Sequence, residues 1–302
     1  MMRRGHLCLL LALGVTACSP DRPVEQPPSD PVVVYVAYED TTAIRGLLDR
    51  FSEETGVVII DRRGPAEGIV DDLIENRISP PADVLLTRSV VHAWRAAEEG
   101  ALRPLYSDVA DAHLPGWARD EDKLWFAISA ERAVIAFRGE PVPSSDLADL
   151  AGGDYAGRLC LSSSKNPINR AVIALLIEAQ GIRPAELVVR GWIGNLASGP
   201  FGSDADVAEA MRSGTCAVGI MSASAAERER LSFLVPTPLN VDIAAAGVAR
   251  HARNPDGAAR LVEWLISRFD GSGLSGHAAQ PVSFVAWYYE EAVKLAERAR
   301  YD

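Results

Sequence analysis

Between residues 32 and 100 three apolar runs alternate with three helical periodicities, and this alternation narrows the possible folds more than any other feature of the chain. Val32 to Ala37 is an almost unbroken apolar run, as expected for a parallel strand covered on both faces. A polar turn, Tyr38-Glu39-Asp40-Thr41-Thr42, leads to Ile44, Leu47, Leu48 and Phe51, which share one helix face. Gly56 suits the left-handed position after that helix. Val57 to Ile60 and Ala82 to Thr87 read as further strands, each followed by a helix, at 69–78 and 90–99. Such βαβαβα order predicts an open, mostly parallel sheet with right-handed crossovers. Ligands of these sheets sit beyond the carboxyl ends of the strands, here at Tyr38-Glu39-Asp40 and Thr87-Arg88-Ser89.

After Pro104 the pattern loosens until Leu124 to Phe137, which reads as one long strand. Arg158 to Leu161 is a short buried strand, followed by the polar turn Ser162-Ser163-Ser164-Lys165-Asn166-Pro167. Ile168, Val172, Leu175 and Leu176 then recur at helical spacing. A strand that passes through small hydroxyl residues into a helix start collects unpaired N–H groups and the positive end of a helix dipole, a geometry that binds anions. Lys165 and Arg170 push the same way; capping of the helix by Ser164 or Asn166 is the alternative reading. Helices are expected at 185–196 and 204–213, a strand at Cys216 to Met221, and a helix through 225–230 after Ser222-Ala223-Ser224. A strand at Leu239 to Val248 and helices at 255–268 and 285–300 complete the pattern.

The chain has 302 residues, 48% hydrophobic and 24% charged, which is enough for two α/β lobes. A formal net charge of −11 without a basic cluster argues against nucleic-acid binding. The first 17 residues look like an export signal: Arg3, Arg4 and His6 precede a short apolar core, Leu7 to Val15. Val15-Thr16-Ala17-Cys18 resembles a lipobox, which would make Cys18 the acylated first residue of a membrane-anchored lipoprotein; an ordinary secretory signal is the alternative. Residues 18–31 then form a tether, with five prolines among residues 19–31. Of the four cysteines, Cys160 and Cys216 remain in an exported, oxidising setting. An even pair there suggests a disulfide, with two buried free thiols as the alternative.

Together the order and spacing of several motifs resemble periplasmic substrate-binding proteins of ABC importers, the ferric-ion-binding group in particular. The motifs are Gly46-Leu47-Leu48-Asp49-Arg50-Phe51 with Glu54-Thr55-Gly56, Pro81-Ala82-Asp83-Val84, Glu99 through Leu105, and Trp125 through Ser129. Gly191-Trp192-Ile193, Ala208-Glu209-Ala210 with Gly214, and Ala246-Gly247-Val248 before Asn254-Pro255 continue the series. The resemblance implies a two-lobed type II periplasmic-binding-protein fold, each lobe a mostly parallel sheet flanked by helices. Two crossing strands would serve as the hinge, near Leu124–Phe137 and Leu239–Val248. Lobe 1 would comprise residues 32–124 plus 249–302, and lobe 2 residues 125–248. It further implies a monomer with no catalytic role and no cofactor, on the periplasmic side of the cell envelope, passing a small ligand to an ABC permease. A receptor reporting to a membrane signalling protein is the alternative partner class.

Carried over by position, Glu39 stands where ferric binders place a histidine or acid. Arg88 stands where a second carboxylate often sits, and Ser224 and Ala225 replace the usual tyrosine pair. Ferric ion wants phenolate and carboxylate oxygens, and an arginine in its shell is repulsive. A metal set of Tyr38, Glu39 and Asp40 is therefore the alternative. The leading expectation is a small anion or zwitterion, such as a phosphonate, phosphate ester or organic acid. It would be held by Ser162, Ser163, Ser164, Lys165 and Asn166 with Arg88, Arg132 and Arg170, and by Ser222 and Ser224, opposite Tyr38, Glu39 and Asp40.

Overall fold

A computed structural model of the chain describes residues 30–38, 42–76, 81–237, 241–269 and 282–302. The export signal, Cys18, all but the last two residues of the tether, Glu39 and Asp40 lie outside the described residues.

The first half folds as the alternation requires. Strand β1 (Val32–Ala37) is followed by α1 (Thr42–Thr55), β2 (Ile59–Gly64), α2 (Ala66–Ile74), β3 (Val84–Thr87) and α3 (Val90–Glu98). Strands β2, β1 and β3 pair in parallel, and all six residues of β1 are buried. Gly56 and Gly100 both take positive φ, +71° and +65°, where they end α1 and α3. The Asp83 carboxylate is buried at the entry to β3. Its Oδ2 accepts the Val33 N–H at 2.8 Å, and its Oδ1 accepts those of Arg253 and Asn254 at 2.7 and 2.8 Å. One side chain thus ties β1, β3 and the start of a later helix together.

Two short elements without a periodicity of their own flank Pro104, β4 (Leu102–Arg103) before it and α4 (Asp108–His113) after it. Strand β5 (Phe126–Phe137) then runs through both halves of the molecule. Its first part, to Arg132, pairs antiparallel with β9 (Val241–Ala249); its second, Ala133 to Phe137, pairs with β7 (Val218–Ser222). Between these lie β6 (Leu159–Leu161), α5 (Pro167–Gln180), α6 (Ile182–Gly194), α7 (Asp204–Ser213), α8 (Ala223–Arg228) and β8 (Ser232–Leu234). Strand β6 pairs in parallel with β7, β8 pairs antiparallel with β5, and the full order is β2-β1-β3-β9-β5-β7-β6. Strand β9 lies antiparallel to β3, and a Cβ at Gly247 would meet the Leu124 carbonyl at 2.8 Å. Only glycine allows that approach.

Two helices close the fold, α9 (Pro255–Ile266) and α10 (Val282–Ala299). Leu261, Val262, Leu265 and Ile266 of α9 join the core of β1, β3 and β9. Ala292, Leu295 and Ala296 of α10 join the other core, with Ile168, Val172 and Leu175 of α5 and with Val189 and Trp192 of α6. Helix α10 also packs on α3, where the His92 and Tyr289 rings meet edge to face.

Cys160 and Cys216 form a disulfide, with Cα atoms 6.0 Å apart. Cys160 lies on β6 and Cys216 two residues before β7, so the bond staples neighbouring parallel strands in a buried layer with Val207 and Met211. Replacing both cysteines by alanine is expected to lower unfolding free energy by about 2–4 kcal/mol, read as a lower urea midpoint. An unchanged midpoint would show that the staple does not constrain the unfolded chain.

Candidate functional site

The carboxyl ends of β1, β3, β6 and β7 open onto one cleft of about 680 Å³. Tyr38 lines it from the end of β1, and Arg88, Ser89 and His92 from the start of α3. Glu67 lines it from α2; Lys165, Asn166 and Arg170 from the start of α5; Asp204 from α7. Ser222 enters from the end of β7, Arg228 from α8 and Tyr289 from α10. Five helix N-termini (α2, α3, α5, α7 and α8) thus reach the same space, and their dipoles favour negative charge there.

The α5 turn is tightly bonded within the protein. Ser163 N–H donates to the Phe201 carbonyl at 2.8 Å, Lys165 N–H to Ser163 Oγ at 3.1 Å, and Asn166 N–H to the Ser163 carbonyl at 3.0 Å. Ser164 N–H donates to Asp302 Oδ1 at 3.0 Å, and Ser163 Oγ to Asp302 Oδ2 at 2.5 Å. A carboxylate of the chain itself therefore occupies part of the loop expected to cradle an anion. Burial pushes the Asp302 carboxyl up, but the Ser163 and Ser164 hydrogen bonds outweigh it and hold it below the usual carboxylate range. Asn166 caps α5, its side chain accepting the Ile168 N–H at 3.1 Å. Capping and cleft-lining thus coexist in this residue.

Asp204 is the hub of the second wall. Its Oδ1 accepts from Ser162 Oγ and from Asn166 Nδ2, each at 2.8 Å, and its Oδ2 accepts the Ser222 N–H at 2.8 Å. Ser162 is fully buried and holds this network rather than facing the cleft. Arg170 donates through Nε to the Ser164 carbonyl at 3.2 Å and through Nη1 to Tyr289 Oη at 2.9 Å. Arg88 donates through Nη1 to Asp242 Oδ2 at 2.7 Å. Burial pushes the Tyr38 and Tyr289 phenols up, partly offset by Arg88 beside Tyr38 and Arg170 beside Tyr289. Burial also lowers the His92 pKa, against the opposing field of Glu67.

Of the residues singled out from sequence, Tyr38, Arg88, Ser163, Lys165, Asn166, Arg170 and Ser222 line the cleft. Arg132 and Ser224 do not line it. Arg132 lies over the Phe233 ring at 5.9 Å, and exposed Ser224 donates its N–H to Glu131 Oε1 at 3.3 Å. Glu67, His92, Asp204, Arg228 and Tyr289 were not foreseen. Each stands on a helix with no motif to mark it, and only the closing of the fold brings them together. Replacing Asp204 by alanine removes an acceptor shared by three donors. It is expected to lower stability by about 1.5–3 kcal/mol in urea unfolding, and a loss below about 0.5 kcal/mol would deny it the hub role.

Among the described residues no group of three or more His, Cys, Asp or Glu side chains could hold a metal ion. Iron uptake protein A1 of Synechocystis is 27% identical over 271 residues, covering 82% of this chain and 75% of the relative. The apo ferric ion-binding protein A of Pasteurella haemolytica superposes with a TM-score of 0.79 at 25% identity, covering 91% of this chain and 99% of that one. A periplasmic binding protein of Actinobacillus pleuropneumoniae with fructose-6-phosphate bound shares the fold, with a TM-score of 0.66 at 16% identity and coverage of 89% and 97%. These likenesses establish the two-lobed type II periplasmic-binding-protein fold. Residues 32–268 match the model of the bacterial extracellular solute-binding proteins, and the chain belongs to that family.

Proposed function

We propose that this chain is an extracytoplasmic receptor that captures ferric iron, accompanied by a small anion, and delivers it to an ABC permease. The observation that carries the reading is the cleft at the strand ends, walled by elements that pack into three separate core clusters. Its chemistry suits a hard cation in anionic company. Two phenols, Tyr38 and Tyr289, and two carboxylates, Glu67 and Asp204, line it, and the converging helix starts favour anionic ligands. Glu39 and Asp40, next in sequence to Tyr38, are candidate further donors. The likeness to a relative named for iron uptake supports the same cargo.

Burial raises both phenols, so iron must displace a phenolic proton to bind. Protons compete with the metal, and affinity falls as pH falls. Ferric citrate added to the purified protein at neutral pH is expected to give a visible phenolate-to-iron band. Tyr38→Phe abolishes the band, and acidification to about pH 5.5 weakens it. A protein that neither colours nor gains melting temperature with ferric citrate overturns the iron reading.

A small organic anion alone, such as a phosphonate, phosphate ester or organic acid, is the second reading, favoured by Lys165, Arg170 and Arg228 on the cleft wall. A melting-temperature gain with metal-free phosphate esters or phosphonates but none with ferric salts would establish it, because tight ligands stabilise by mass action.

Lipid on Cys18 would tether the receptor to the membrane. Cys18→Ser is expected to release the protein from the membrane fraction or leave it as unprocessed precursor. Mature Cys18→Ser protein still fractionating with membranes would place the anchor elsewhere.

A further inference from the structure

We propose that Asp242, buried behind Arg88 on β9, sets the charge selectivity of the cleft by neutralising the Arg88 cation. Arg88 then serves as the structural partner of Asp242 and not as an anion receptor. This deepens the reading of the cleft as a ferric site, and its charge argument stands on the protein alone.

The pair is asymmetric in exposure. The Arg88 side chain is 39% exposed and lines the cleft, whereas the Asp242 side chain is 2% exposed. A buried carboxylate is costly unless a cation and hydrogen bonds compensate it. Arg88 Nη1 supplies the cation at 2.7 Å; burial pushes the Asp242 carboxyl up, and Arg88 and the neighbouring Ser89 side chain oppose that push. The β5–β9 register makes the need greater, because Asp242 stands directly opposite Glu131. Like charges at facing positions of a ladder destabilise it. Glu131 is itself engaged by backbone N–H groups, of Arg132 at 3.1 Å and of Ser224 at 3.3 Å, through Oε1. Arg88 is therefore the cation that makes a charged Asp242 tolerable in this ladder.

The backbone holds the pair in place. Strand β3 ends at Thr87, which is registered with Ala245 of β9, so Arg88 leaves the sheet next to the stretch of β9 that carries Asp242. A ligand in the cleft then meets an ion pair, whose field falls off faster than that of a lone guanidinium. This removes much of the repulsion that an arginine at this position would present to a ferric ion, and it withholds from a free anion the attraction of a bare cation.

Metal-free inorganic phosphate is the probe, titrated calorimetrically into the wild type, Asp242→Asn, and the Asp242→Asn/Arg88→Gln double variant. Asp242→Asn is expected to bind phosphate about ten-fold tighter or better, because it exposes an uncompensated guanidinium. The double variant, which exchanges the ion pair for an amide pair, is expected to return to within about two-fold of wild type. No gain in Asp242→Asn, or a loss of about ten-fold or more in the double variant, overturns the proposal. Should Asp242→Asn fail to fold by circular dichroism, the comparison of the wild type with the double variant decides. No iron is present, so these outcomes are independent of the ferric reading, which rests on the visible band of the wild type.

Discussion

Strand β5 is the constraint from which the rest of the molecule follows. It changes partners in the middle of its length, pairing with β9 up to Arg132 and with β7 and β8 from Ala133 onward. Every antiparallel pair of named strands among the described residues involves β5 or β9, and the parallel pairs β1–β2, β1–β3 and β6–β7 do not. The parallel units could each be built locally by strand–helix crossovers. What joins them is a strand whose hydrogen bonds are shared between two sheets. A few dihedrals where such a strand changes partners can alter the angle between the sheets without breaking either ladder, which is the geometry of hinge closure. The cleft lies beside that change of partners, since Arg132 is registered with Val241 and the adjacent Asp242 reaches Arg88.

Three carboxylates do related work around this frame. Asp83 gathers three backbone N–H groups from two distant segments, Asp204 gathers a hydroxyl, an amide and a backbone N–H, and Asp242 holds a guanidinium. At Asp83 and Asp204 a carboxylate is admitted among packed elements because three donors meet it, and the donors come from parts of the chain that must be brought into register. Asp302 adds a fourth tie, joining the residue after Tyr301 to the start of α5. The acidic balance of the chain is thus partly internal architecture.

Much of the frame was legible in the sequence because its signals are local. Apolar runs and helical periodicity identify β1 through α3, and Gly56 marks a left-handed helix end that the backbone adopts. Parity and export suggest the Cys160–Cys216 bond without any knowledge of the fold. Short elements escaped: β4 has two residues and β8 three, too few to display a period. The cleft was half legible. Tyr38, Arg88, Lys165 and Asn166 stand at strand ends, where position alone makes them candidates. Tyr289 and Asp204 do not, and nothing in their local sequence says that α10 would pack against α5 or that α7 would start beside β7.

The charge of Arg88 shows why residue type at a matched position does not settle chemistry. Read along the chain, an arginine in place of a carboxylate turns a cation site into an anion site. In the folded protein its partner is 154 residues away, so the local sequence carries no trace of the compensation. The fold does not settle the matter either, since sites and not scaffolds carry function. What the ligand meets is the sum of an ion pair, five helix starts, two phenols whose protons burial makes harder to remove, and the carboxylates Glu67 and Asp204. A bare anion would find its best N–H donors on α5 already bonded, one of them to Asp302. A trivalent cation could draw a proton from a phenol and gain a ligand that the dipoles stabilise. This balance supports the proposed reading of a metal that brings its own anion, although the sequence at Arg88 points the other way.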